Sequence, residues 1–370
     1  MFVDLTEEQH ALRAELRTYF ENLLTDDERE AMLTERHGPV YQKLVRRIGA
    51  DGWFRDMGQV ERQIFINEAS RADIPLPYVT LQTVGPTLRT FGSREQKDFF
   101  LPKIVAGEVH FAIGYTEPEA GTDLASLRTT AVREGDSYVV NGQKIFTTGA
   151  HEADYIWLAC RTSPDAPRHK GISILILDTS LPGFSWTPII TCDGAHHVNA
   201  TYYSDVRVSA DMLVGKENEG WKLITTQLNH ERVMLGPAGR LSALYDRVHA
   251  WAAERDLLSK PDVRRALAET YAVVEVNELL NGHVAATELD VADASVTKVF
   301  ASDRSQRIGR LMEEIVGRHG DPADPATGRL ARWLDVQVKR NLVLTFGGGV
   351  NEIQRELIAS MGLRLPRVPR

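Results

Sequence analysis

The sequence predicts a mainly α-helical protein with a central β domain. Apolar residues recur at helical spacing up to about residue 110, the period shortens towards two from about 111 to 215, and helical spacing returns from Glu217 onward. The 370 residues suffice for two or three domains, and 43% hydrophobic with 25% charged content is ordinary for a globular chain. We therefore expect an N-terminal helical domain over 1–110, a middle β-barrel-like domain over 111–215 and a C-terminal four-helix bundle over 216–370.

Taken in order, Thr6-Glu7-Glu8-Gln9 has the form of a capping box, followed by Leu12, Leu16, Tyr19, Phe20 and Leu23 at helical spacing. Pro39 opens a second helix carrying Tyr41, Leu44, Val45 and Ile48, with Gly49 as its expected stop. Ser93 and Gln96 cap a later helix whose Phe99, Phe100, Ile104 and Val105 supply core contacts, and Pro75, Pro77, Pro86 and Pro102 punctuate the region. Strands are expected at Arg128–Arg133, Tyr138–Val140, Tyr155–Ala159, Gly171–Leu177 and Tyr202–Val208, where β-branched and aromatic residues concentrate, with turns at Gly135-Asp136 and Asn141-Gly142. Trp221–Ala253, Lys260–Leu289, Ala292–Val316 and Thr327–Thr345 are the four expected bundle helices.

A formal net charge of −8 argues against nucleic acid as a partner. No apolar run approaches about eighteen residues, and the acidic N-terminus has no signal-peptide core, so neither a membrane span nor export is expected and the location is read as cytoplasmic. Cys160 and Cys192 form no CxxC and have no histidine at ligand spacing, so disulfides and metal are not expected and both are read as buried small hydrophobes.

The segment Gly114–Ser126, GYTEPEAGTDLAS, is rich in glycine, proline and small hydroxyl residues and sits at a strand-to-loop corner after Phe111–Ile113. Such a backbone can approach a ligand closely and offer N–H and O–H donors; on chemistry alone it suits a surface turn equally well. A second segment, NGQKIFTTGAHEADY, spans Asn141–Tyr155, and GSREQKDFFLPKIVAGE spans Gly92–Glu108. Together these resemble the acyl-CoA dehydrogenase family, over nearly the whole chain. Within the family the sequence is most similar to one subunit type of the heteromeric enzymes that dehydrogenate steroid side-chain CoA esters in actinobacteria.

The resemblance implies an acyl-CoA dehydrogenase-like fold and an FAD cofactor. Tyr115 and Thr116 would meet the pyrimidine side of the flavin, Thr122 the pyrophosphate, Phe146 the face of the ring and Thr148 flavin N5, with Gly121 also among the cofactor-binding residues. The alternative for these residues is strand-end packing for Tyr115 and Phe146 and turn hydrogen bonds for the threonines. No GxGxxG follows a strand, which argues against a Rossmann-type nucleotide site. Side chains cannot accept hydride, so dehydrogenation at Cα–Cβ requires such a cofactor.

Many family members carry the catalytic Glu just before an Ile-Gln-Arg motif. Aligning on Ile353-Gln354-Arg355 puts Gly348 at that position, and Glu352 falls four residues later. A second family solution places the Glu in a Glu-Arg pair on the first bundle helix, which matches Glu231-Arg232 in NHERVML. Ile224, Leu228, Glu231 and Leu235 share one helical face, and loss of hydration there raises a carboxyl pKa towards the range of a general base. Glu231 is thus the expected base, with Arg232 and Gly348 at the substrate; a structural Glu231–Arg232 pair is the alternative. Gly347–Gly349 is consistent with room for a bulky acyl group and equally suits an ordinary loop.

The Arg-x-x-Phe-Gly segment that homo-oligomeric members lend to a neighbour's FAD is missing from AAERDLLSKPDVRRALAE. This implies an obligate paralogous acyl-CoA dehydrogenase-like subunit in an α2β2 heterotetramer, with an electron acceptor such as electron-transfer flavoprotein. A family loop expected between Trp53 and Val60 is also shortened. The readings kept beside this one are a non-catalytic subunit and a flavin oxidase or monooxygenase.

Overall fold

A computed structural model describes residues 4–234, 236–287 and 290–366, with the backbone alone across 228–234. Helices α1 (Glu7–Glu21), α2 (Asp26–Thr34), α3 (Pro39–Ala50), α4 (Gln59–Arg71), α5 (Gly85–Phe91) and α6 (Arg94–Val105) come first. Strands β1 (Phe111–Gly114), β2 (Thr130–Glu134), β3 (Ser137–Thr148), β4 (Tyr155–Arg161), β5 (Ile172–Asp178), β6 (Phe184–Ile190), β7 (His196–Ser209) and β8 (Leu213–Val214) follow. Helices α7 (Gly220–Met234), α8 (Ala238–Ala253), α9 (Pro261–Ala286), α10 (Val291–His319), α11 (Pro325–Asn341) and α12 (Asn351–Leu357) complete the chain. The chain divides into two compact units, one of Thr34–Asp56 and Pro77–His230, the other of Met1–Leu33, Met57–Leu76 and Glu231–Arg370.

The first unit is built on one eight-stranded sheet in the order β6-β7-β3-β2-β4-β5-β8, with β1 added parallel to β4. Strands β4 and β5 are buried almost throughout, so their alternate residues serve two cores. Trp157, Ala159, Ile174 and Ile176 face Phe100, Ile104, Phe111 and Tyr115, whereas Ile156, Leu158, Leu175 and Leu177 face Tyr138, Val140 and Tyr203. The Ser93–Gln96 capping box opens α6 as expected, and the same Gln96 amide donates onward to the carbonyls of Asp211 (2.6 Å) and Leu213 (2.9 Å).

The second unit packs α8, α9, α10 and α11 around Leu241, Val248, Trp251, Val263, Met312, Ile315 and Leu334. The capping box of Thr6 and Gln9 starts α1 in this unit. No helix among the described residues is long and apolar enough to cross a membrane.

Several expectations change. Asn141-Gly142 makes no turn: β3 runs through it, and a register shift against β7 places Gly142 at φ 146°, where a Cβ would lie 2.6 Å from Thr129 Oγ1. Gly49 does not end α3. It lies inside the helix, where a Cβ would meet the Ala106 carbonyl at 2.4 Å. The first long bundle segment is two helices, α7 and α8, because Pro237 stands at the N-cap of α8. Helix α2 and edge strand β6 appear where no element was expected; β6 is mostly exposed and so carries little apolar alternation. Cys160 is buried as expected, but Cys192 is exposed.

Close approach of helices sets one sharp constraint in the second unit. A Cβ at Gly239 of α8 would lie 1.9 Å from the Asn67 carbonyl oxygen and 2.9 Å from the Arg71 nitrogen, both backbone atoms of α4. Gly239→Ala should therefore force the two helices apart and cost about 1–3 kcal/mol, measured as a lower urea midpoint.

Candidate functional site

Strand β1 ends at Gly114 and delivers Tyr115 into the first unit's core. The Tyr115 hydroxyl donates to Gln227 Oε1 and accepts from Trp157 Nε1 at 3.2 Å, so the ring is committed to packing. The Tyr115 carbonyl accepts from Lys144 Nζ at 3.0 Å, and the same ammonium donates to Glu117 Oε1 at 2.8 Å. Both charged side chains are buried, Lys144 at 1% and Glu117 at 6% exposure.

Glu117 also accepts from the backbone N–H of Arg128 (2.7 Å) and Thr129 (2.9 Å). Burial pushes its carboxyl pKa up, but the Lys144 ammonium and these donors outweigh burial and leave it below the usual value. Its own backbone closes a tight turn, with Glu117 N–H donating to the Ala120 carbonyl and Ala120 N–H to the Glu117 carbonyl, both at 3.1 Å. Ile145 N–H donates to the Thr116 carbonyl at 2.8 Å. The segments 114–126 and 141–155 are thereby tied together at two adjacent peptides.

What this clamp presents is polar and aromatic. Gly121, Thr122 and Thr148 are exposed and Thr116 is half-buried. The hydroxyls of Thr116, Thr122 and Thr148 make no hydrogen bond among the described residues, so all are available as donors. A Cβ at Gly121 would meet nothing within 4 Å. Phe146 is 58% exposed and has φ 59°, at a register shift between Lys144 and Thr147. For a bulky residue this conformation costs on the order of 1–3 kcal/mol and persists only where its surroundings fix it. An exposed ring on a fixed bulge, beside unpaired hydroxyls, fits the face and edge of a planar polar cofactor.

Of the expected site residues, the structure brings Tyr115, Thr116, Phe146 and Thr148 together around the clamp, with Gly121 and Thr122 farther along the same segment. Glu231 and Arg232 lie on α7, and their side chains fall outside the described residues, as do those of Leu228 and Leu235. Gly348 belongs to the second unit, with φ 64° followed by Gly349 at 93°. Their carbonyls accept from Gln354 Nε2 at 3.2 and 3.3 Å, and buried Lys298 donates to the Gly349 carbonyl at 2.9 Å and to Asn351 Oδ1 at 2.7 Å. Sequence reasoning missed Glu117 and Lys144. The available signal was a lone lysine inside a strand of a buried sheet.

Beyond Thr148 lies a group of titratable side chains. Burial, reinforced by His197, His151, Arg36 and His110, lowers the His37 pKa to about 3. Burial followed by His196 lowers that of His151 to about 4. Burial, with Glu35 second, raises that of Glu152 to about 7, and its Oε2 has no hydrogen-bond partner among the described residues. His196 and His197, which adjacent strand positions would separate, do part: His196 Nε2 reaches Asn199 Oδ1 at 2.7 Å and His197 Nε2 reaches Asp193 Oδ2 at 2.9 Å. Among the described residues no group of three or more His, Cys, Asp or Glu is arranged to hold a metal ion.

Comparison with known proteins agrees along the whole chain. Family models for the acyl-CoA dehydrogenase N-terminal, middle and C-terminal domains match residues 6–108, 112–206 and 218–363. Acyl-CoA dehydrogenase FadE29 of Mycobacterium tuberculosis is 64% identical over 387 aligned positions, and FadE26 of the same organism is 42% identical over 401, each covering 100% of both chains. Among solved structures, the Tcur3481-Tcur3483 steroid ACAD superposes with a TM-score of 0.93 at 46% identity. The ChsE4-ChsE5 complex from Mycobacterium tuberculosis superposes with 0.91 at 43%, and both cover 100% of each chain.

Two outcomes follow from the electrostatics. Lys144→Met leaves Glu117 charged and buried and should lower unfolding free energy by about 3–5 kcal/mol, a loss that Glu117→Gln in the same chain partly recovers in urea titrations. For Glu152 the folded pKa lies above the unfolded one, so its stabilising effect is complete below about 4.5 and is lost as pH rises through about 7. Glu152→Gln should accordingly raise the thermal midpoint relative to wild type at pH 8 and leave the difference near zero at pH 4.

Proposed function

Because the chain belongs to the acyl-CoA dehydrogenase family, whose members are oxidoreductases, we propose that it introduces a Cα–Cβ double bond into an acyl-CoA thioester with FAD as hydride acceptor. The observation that supports this reading is the double tie between Tyr115-Thr116 and Lys144-Ile145, after which Phe146 and Thr148 stand exposed. Bound FAD supplies the hydride acceptor that no side chain can provide. The remaining work falls to this chain.

Tyr115 and Thr116 would hold the pyrimidine side of the flavin, Phe146 its face, Thr148 the N5 edge, and Gly121 with Thr122 the pyrophosphate. Glu231, on α7, takes the α-proton as general base. Gly348 has no carboxylate to offer and, with Arg232, lies at the substrate. The likeness to the steroid ACAD and to the ChsE4-ChsE5 complex supports a bulky, steroid-derived acyl group and a paralogous partner subunit in an α2β2 heterotetramer. In this reading the enzyme is cytoplasmic and passes its electrons to an acceptor such as electron-transfer flavoprotein.

Glu231→Gln in the assembled complex tests the assignment. We expect turnover to fall by about 10²–10⁴-fold with FAD content unchanged. Undiminished turnover would make this chain the non-catalytic member of the pair.

A further inference from the structure

We propose that Asn199 is a positioning residue for the flavin-facing bulge Ile145–Thr148, holding its C-terminal side through Thr147 and through the rings of His151 and His196. The inference rests on the FAD reading given above. Asn199 lies on β7 directly opposite Thr147 and is fully buried. Its Nδ2 donates to the Thr147 carbonyl at 3.2 Å and lies 3.0 Å from His151 Nδ1, while its Oδ1 lies 2.7 Å from His196 Nε2.

The proton positions follow from the partners. A carbonyl can only accept, so Nδ2 is the atom facing Thr147. His151 Nδ1 must then be an unprotonated acceptor, and His196 Nε2–H must donate to Oδ1. The two imidazoles stack on each other with centroids 3.9 Å apart and planes at 22°, and Trp186 closes over both at 5.7 and 5.8 Å. Asn199 is thus held on its far side by a packed aromatic group, and its remaining donor is committed to the bulge.

The other side of the bulge is fixed by Lys144 and Ile145 to Tyr115 and Thr116. Between these anchors stands Phe146 at φ 59°. A strained residue relaxes when either flank is released, and the relaxation would turn the ring and the neighbouring Thr148 away from the flavin. Lys144 fixes one flank; Asn199 fixes the other. Its contribution is geometric, since it touches neither the cofactor surface nor the substrate.

The test uses the FAD-loaded complex. Asn199→Leu removes every hydrogen bond at similar volume, and Asn199→Asp keeps the acceptor for His196 while losing the donor to Thr147. Both should weaken FAD binding on the order of tenfold or more and change the visible circular dichroism of the bound flavin, with KM for acyl-CoA less affected than kcat. Wild-type flavin dichroism and affinity in Asn199→Asp would overturn the proposal, even if the thermal midpoint fell. Should Asn199→Leu fail to fold, His196→Leu removes only the outer support and should give a smaller change of the same sign; no change would equally overturn it. A wild-type complex without FAD is a separate result, and it would overturn the cofactor reading instead.

Discussion

The buried contact between Lys144 and Glu117 is the constraint on which the rest of the site depends. Two ions removed from water are rarely a net source of stability, because desolvation offsets much of their attraction. What the pair provides is geometry. One ammonium reaches both the Glu117 carboxylate and the Tyr115 carbonyl, and that carboxylate collects the N–H groups of Arg128 and Thr129. Three stretches of backbone, at 115–117, 128–129 and 144, are thereby indexed to a single point in the interior, and the loop that follows β1 has one conformation to adopt.

From that point the strain at Phe146 becomes intelligible. A strand passing from Lys144 to Thr147 without a bulge would alternate its side chains regularly and turn Phe146 to a position set by the pleat. The register shift instead frees the ring to stand out from the sheet at 58% exposure, at the expense of a left-handed backbone on an aromatic residue. The glycine loop of the second unit shows the same economy by different means. There, Gln354 and Lys298 grip the carbonyls of Gly348 and Gly349, and glycine makes the positive φ angles inexpensive.

The sequence discloses features whose cause is local. Both capping boxes, the apolar stripe of α3 and the buried strands β4 and β5 stand where residue spacing puts them, because their stabilising partners are a few residues away or are simply an apolar interior. Features with distant causes are hidden. Asn141-Gly142 has the composition of a hairpin turn, and only the pairing of β3 with both β2 and β7 keeps it extended. Gly49 looks like a helix stop until the Ala106 carbonyl arrives against it. Lys144 and Glu117 lie 27 positions apart, so neither could be recognised as half of an ion pair. The segments 114–126 and 141–155 are legible as strings; that Tyr115 turns its ring into the core and gives its carbonyl to Lys144 is not.

In the proposed function this chain holds the flavin ring, and the far end of the cofactor falls to a second subunit. The most direct measurement is the flavin-to-chain ratio and native mass of the purified protein, alone and after co-expression with an acyl-CoA dehydrogenase-like paralogue that carries the Arg-x-x-Phe-Gly element. Stable FAD confined to the mixed complex, at fewer flavins than chains, is the predicted result. Flavin-loaded homo-oligomers of this chain alone would contradict it.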